Sequence, residues 1–144
     1  MLIQPVCRIC WLAFVITVLL SGCGGQGHDR TEVTGMVTLD DKPLPSGLTV
    51  KFTPDNPETP IAVGATDSES RYTVYAEQGK IGLSPGRYTV SVELPFADQP
   101  GPYTGPPSLA NVTIPEHFQT GKSSLIFEAP RDGSRLDIRM TTKD

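Results

Sequence analysis

Residues 87–94, RYTVSVEL, alternate without a break: Tyr88, Val90, Val92 and Leu94 fall to one side, Arg87, Thr89, Ser91 and Glu93 to the other. A side-chain period of two is that of an extended strand with one buried face. The same pattern recurs in Val33/Gly35/Val37/Leu39, Leu48/Val50/Phe52, Tyr72/Val74/Ala76, Leu125/Phe127/Ala129 and Leu136/Ile138/Met140, with residues 61–65 (IAVGA) as a weaker edge strand. No segment holds a helical apolar stripe for three turns. Strands with one apolar face need a second sheet to cover it. The expectation is therefore an all-β domain, an antiparallel seven-stranded β-sandwich over residues 32–144.

Turn chemistry separates the strands. Residues 40–43 (DDKP), 53–57 (TPDNP), 67–70 (DSES), 84–86 (SPG) and 131–133 (RDG) combine Pro, which presets φ, with Asp or Asn, which hydrogen-bond their own backbone, and Gly, which takes positive φ. With 14 glycines and 14 prolines in 144 residues, long helices are disfavoured.

The only long apolar run lies at the N-terminus. Arg8 precedes residues 9–20 (ICWLAFVITVLL), which have the length and flank of a secretory h-region; a spanning helix needs about twenty residues. Ser21 and Gly22 then supply the small side chains a signal peptidase requires before Cys23. Leu20-Ser21-Gly22-Cys23 resembles the lipobox of bacterial lipoproteins. That resemblance implies a signal peptide over residues 1–22, a diacylglycerol thioether on Cys23, and Cys23 as the first mature residue. Residues 23–31 then form a flexible tether, glycine-rich and without an apolar side chain through Arg30, with His28 as a solvated side chain. Two or three acyl chains on one residue make such an attachment effectively permanent. The C-x-x-C pair Cys7/Cys10 goes with the leader, so the mature chain keeps no free thiol and no disulfide. Gly24 is not the aspartate that signals inner-membrane retention in the lipoprotein sorting rule, so the expected address is the outer membrane, with the domain in the periplasm or outside the cell.

Cleavage after residue 22 of 144 leaves 122 residues, suited to one domain that buries roughly two-thirds of its unfolded surface. Loss of Arg8 makes the net charge one unit more negative than the −4 of the full chain. An acidic body of this kind argues against nucleic acid, which asks for clustered Lys and Arg.

Residues 35–54 (GMVTLDDKPLPSGLTVKFTP), 66–74 (TDSESRYTV) and 83–92 (LSPGRYTVSV), with the tail from IPEHF through LDIRM, resemble the carboxypeptidase regulatory-like, transthyretin-like sandwich. Lys42 stands where the first turn of that family usually has glycine, and Ser70 where its TD-x-x-G-x-Y turn has glycine. The resemblance implies a scaffold: Gly86 in a positive-φ turn, and Tyr72 and Tyr88 plugging the sandwich ends with ring buried and hydroxyl wet. It transfers no active site.

The chemistry-bearing residues are few. Outside the tether the mature chain has one histidine, His117, with no nucleophile motif beside it, so no catalytic residue is assigned. Zinc lacks its ligand set, and the acidic turns at Asp40/Asp41 and Asp67/Glu69 lack the alternating oxygen ligands of a calcium loop; neither metal nor cofactor is assigned. Residues 95–110 (PFADQPGPYTGPPSLA) form a long proline-rich loop in which Phe96 and Tyr103 offer flat apolar area to a partner. The alternative is an insertion that wraps a sheet edge. The expected function is that of a non-catalytic, lipid-anchored envelope protein: structural, or binding a protein or polysaccharide. The alternatives are an envelope enzyme or hydrolase accessory subunit, and a small-ligand carrier.

Overall fold

A computed structural model describes residues 30–96, 102 and 104–142. The expected signal peptide, Cys23 and most of the expected tether lie outside the described residues, as does Tyr103. The described chain is all-β, with three short 3-10 turns and no α-helix. It holds eight strands: β1 (Thr34–Leu39), β2 (Lys42–Pro43), β3 (Thr49–Pro54), β4 (Ala62–Ala65), β5 (Arg71–Thr73), β6 (Gly86–Glu93), β7 (Leu125–Ala129) and β8 (Ile138–Met140). They form two four-stranded sheets. One joins β2, β1 and β5, with β8 also on β1; the other runs β4-β3-β6-β7.

The expected alternation is realised in β6, where Tyr88, Val90 and Val92 are buried. Val50 and Phe52 of β3, Tyr72 of β5, Phe127 and Ala129 of β7, and Ile138 and Met140 of β8 bury the corresponding faces. Both sheets feed one core. Phe52 sits at its centre, with ring centroids 5.9 Å from Phe127 at 90°, 6.4 Å from Tyr88 and 6.5 Å from Tyr72. Such edge-on packing is the favoured geometry for aromatic quadrupoles.

The strands differ from expectation in three respects. First, the pairing is only mostly antiparallel: β8 runs parallel to β1, with Val37 opposite Ile138 and Leu39 opposite Met140. After β7, the chain turns through residues 130–133 and passes to the other sheet, arriving in the direction of β1. Second, Lys42–Pro43, read as part of a turn, is a strand. Asp40 (φ 49°) and Asp41 (φ 61°) form a two-residue hairpin turn with both φ positive, and β2 returns along β1. This turn type suits the twist of a hairpin. The Asp40 carboxylate accepts hydrogen bonds from Thr142 N at 3.0 Å and Thr142 Oγ1 at 2.7 Å. Lys42 therefore needs no special φ. Third, Val74 and Ala76 lie beyond β5, yet both are buried because the chain continues extended: Tyr75 bridges to Val63 of β4 and to Ile81. That bridge ties the two sheets together along one side.

Ser70 takes the left-handed conformation (φ 62°) that glycine adopts most readily. Its fully buried hydroxyl donates to Leu44 O and accepts from Leu44 N, both at 2.6 Å. Thr66, four residues earlier, accepts from Leu48 N at 3.0 Å and donates to Pro45 O at 3.4 Å. Two buried hydroxyls thus stitch residues 44–48 over the end of the core.

The tyrosine hydroxyls are not wet. Tyr72 donates to Leu136 O at 2.6 Å, and Tyr88 donates to Ser84 O at 2.8 Å, four residues upstream at the start of its own strand. Burial raises both hydroxyl pKa values; Asp137 pushes Tyr72 further up, while Arg30 opposes the rise at Tyr88. Each buried ring needs a partner for its one polar atom, and a nearby carbonyl supplies it. Gly86 has φ 154°, as its place after Pro85 implies.

Candidate functional site

The registers define two ends of the domain. Thr49 and Ala65 lie beside Glu93 at one end; Pro54 lies beside Tyr88, and Gly86 beside Ala129, at the other. The chain enters at this second end. Thr31 pairs with Leu83 through two 2.8 Å backbone hydrogen bonds, and Arg30 Nη1 donates to Gly82 O at 3.4 Å. The proline-rich loop leaves β6 at the first end. The two features therefore sit at opposite poles of the sheets.

Beyond β6, Phe96 is 56% exposed and left-handed (φ 64°). An aromatic residue with positive φ is rare and costs of order 1–3 kcal/mol. The loop then returns to the core. Pro107–Leu109 is a 3-10 turn in which Leu109 is fully buried, packing near Gly47. Its second half is thus a wrap anchored over the end of the sheets, as the edge-wrapping alternative requires. Phe96 faces solvent, as a partner contact requires. Tyr103 lies outside the described residues.

At the end of β6, two residues before Phe96 in the chain, a groove of about 370 Å³ opens between residues 92–94 and 112–114, closed by Gln119 and Thr120. Its apolar wall comes from Leu94, Val112 and Ile114 and its polar side from Glu93, Thr113, Gln119 and Thr120, the first and last of which belong to a chain of polar groups that runs on behind the lining. Ser91 Oγ lies 2.9 Å from Thr120 Oγ1, which donates to Glu93 Oε1, and Lys51 Nζ reaches the same carboxylate oxygen at 3.4 Å. Lys51 and Glu93 are each one-quarter exposed, so solvent screens the pair and its contribution to stability is small.

This chain comes from strand alternation. Ser91, Glu93 and Lys51 all point away from the core, and Lys51 stands opposite Ser91 in the ladder. Ser91 is nevertheless buried, because residues 119–123 fold over it: Ser123 donates to Val90 O, and Gln119 Nε2 donates to Ile114 O at 2.7 Å. Burial of a serine on the outward face has no signature in its own strand, which is why sequence reading missed it. The arrangement places donors and acceptors beside an apolar wall, as recognition of a hydroxylated or amide-bearing chain requires.

The remaining candidates lie elsewhere. His117 is exposed, with its ring 4.3 Å from that of Phe118, at a second depression shared with Thr113 and Thr142. The Asp67 carboxylate caps its own turn, accepting from Glu69 N at 2.8 Å and Arg71 N at 2.9 Å, while Glu69 pairs with Arg71 at 3.1 Å. Among the described residues, no group of three or more His, Cys, Asp or Glu side chains is placed to hold a metal ion. No protein-family model, curated protein or solved structure matches the chain.

Proposed function

We infer that this chain is a lipid-anchored binding protein of the bacterial envelope, its body a β-sandwich of the carboxypeptidase regulatory-like, transthyretin-like kind. The single observation that carries the reading is the polarity of the domain: the chain enters at one end, and the groove with Phe96 lies at the other. A body tethered through Cys23 holds its groove away from the membrane, where a polysaccharide or an extended protein segment reaches it. The mixed lining, with aliphatic wall and hydroxyl–carboxylate chain, suits binding. Two shared features support the sandwich assignment: Ser70 adopts the glycine conformation of the family turn, and Tyr88 closes back onto Ser84 as tyrosine corners do.

Two experiments test the reading. Metabolic labelling with palmitate marks the wild-type chain and leaves Cys23→Ser unlabelled and released from membranes. The soluble Cys23→Ser chain, titrated with peptidoglycan fragments or with extended peptides, shows amide shifts centred on residues 92–94 and 112–120. Shifts centred instead on residues 77–86 overturn the assignment of the groove.

A further inference from the structure

Four of the six large hydrophobic side chains exposed among the described residues gather in one place: Ile61 (48%), Val63 (44%), Tyr75 (43%) and Ile81 (50%). The ladder explains why. Val63 stands opposite Tyr75, and Tyr75 opposite Ile81, so the three side chains share one outward face. Ile61 precedes Val63 by two residues and joins the same face. With strands about 4.8 Å apart, the row from Ile81 to Val63 spans roughly 10 Å. The cluster has no covering element among the described residues.

Its position relative to the chain's point of entry is the decisive fact. Ile81 is two residues from Leu83, which holds Thr31. From Cys23 to Thr31 the chain advances eight residues, a reach of at most about 28 Å when fully extended and less on average. If Cys23 carries lipid, Thr31 is held within that distance of the bilayer surface, and Ile81, the near end of the row, lies about 7 Å further along the chain from the partner of Thr31. Lys51 stands opposite Val63 in the ladder, Arg30 reaches Gly82 O beside Ile81, and Lys80 precedes Ile81 in the chain, with Glu77 two residues after Tyr75. A tyrosine among aliphatic residues with basic neighbours is the composition of a membrane interface.

We propose that the face formed by Ile61, Val63, Tyr75 and Ile81 rests in the headgroup region of the membrane, a second contact that fixes the orientation of the tethered body. The inference builds on the lipid anchor proposed above. The two contacts act together: the acyl chains raise the local concentration of the patch at the surface, so even a weak apolar contact is populated. The body is then held with its β4 side toward the bilayer instead of tumbling on its tether.

The mature chain has no tryptophan, because Trp11 is the only one and lies in the leader. A single introduced tryptophan therefore reports alone. The acylated chain carrying Tyr75→Trp, Ile81→Trp or Phe96→Trp is reconstituted in phosphatidylethanolamine/phosphatidylglycerol vesicles whose acyl chains are brominated, with palmitate labelling and far-UV circular dichroism run on each variant. The expected result is a blue shift and loss of emission at positions 75 and 81, with emission at 96 unchanged. A labelled, folded protein in which neither 75 nor 81 is quenched overturns the membrane contact and leaves the anchor standing. Equal quenching at all three positions overturns the fixed orientation. A blue shift at 75 that follows protein concentration and not lipid shows that a second copy covers the face, and overturns the proposal. An unlabelled wild-type chain overturns the anchor and this inference together.

Discussion

Ser70 offers a test of what holds the end of the core together. Its hydroxyl accepts from Leu44 N and donates to Leu44 O, the only partner of either among the described residues, and Leu44 is 8% exposed. Ser70→Ala keeps the left-handed backbone and removes both bonds. A buried polar group left unsatisfied costs about 1–3 kcal/mol, the N–H more than the carbonyl, so the loss should total about 2–4 kcal/mol. Ser70→Gly supplies the residue that suits a left-handed backbone and loses the same bonds. It relieves about 1–2 kcal/mol of left-handed strain, offset by about 0.5–1 kcal/mol of extra chain entropy, and should fall between alanine and wild type. The assay is equilibrium urea unfolding of the Cys23→Ser chain. With a slope of roughly 1.5 kcal/mol/M, the alanine midpoint drops by roughly 1.3–2.7 M at unchanged slope, and the glycine midpoint by less. An alanine variant as stable as wild type, or a glycine variant more stable than it, would show that backbone geometry and not the hydroxyl clip governs this turn.

Two further outcomes follow from the tyrosine and glycine positions. Because burial raises the Tyr72 pKa above its ordinary 10.0, the folded chain keeps a proton that the unfolded chain releases. The stabilisation is complete below pH 10 and declines as pH rises above it, by up to about 1.4 kcal/mol per pH unit. Tyr72→Phe should lose about 1 kcal/mol at neutral pH and show a shallower alkaline limb in melts above pH 10; identical limbs in the two proteins refute the assignment. At Gly35, an added Cβ would lie 1.8 Å from Leu136 O and 2.9 Å from Tyr72 Oη. Gly35→Ala should therefore cost about 3 kcal/mol or more and lower the melting temperature sharply; an unchanged melt refutes the close approach of β1 to residue 136.

The elements legible in the sequence were those whose period and neighbours agree. In residues 87–94 every second residue is apolar and the preceding SPG supplies the turn, so β6 runs as its alternation predicts. The acidic turn at Asp40–Asp41 was recognised, but its sharpness was not: only the positive φ of both aspartates frees Lys42 and Pro43 to pair. The parallel run of β8 on β1 was invisible, because alternation reports which face is buried and carries no sign for strand direction. The groove was illegible for a related reason. Its polar chain joins Lys51, Ser91, Glu93 and Thr120 from three separate segments, and no local spacing relates them. Phe96 was found because an aromatic side chain in a proline-rich loop has no strand face to occupy; the burial of Leu109 thirteen residues later depends on where the loop lands.

The bridge from Val63 to Tyr75 has a consequence for molecules crowded side by side. Copies confined to a plane meet at a far higher effective density than the same number free in solution, and any open strand margin then becomes a template for end-on polymerisation. Spending Tyr75 on the margin of β4 leaves β7 as the unsealed border of that layer, a five-residue stretch that carries Glu128. Replacing Tyr75 with proline would reopen the guarded side, and the symptom to expect is fibrous association and not loss of fold.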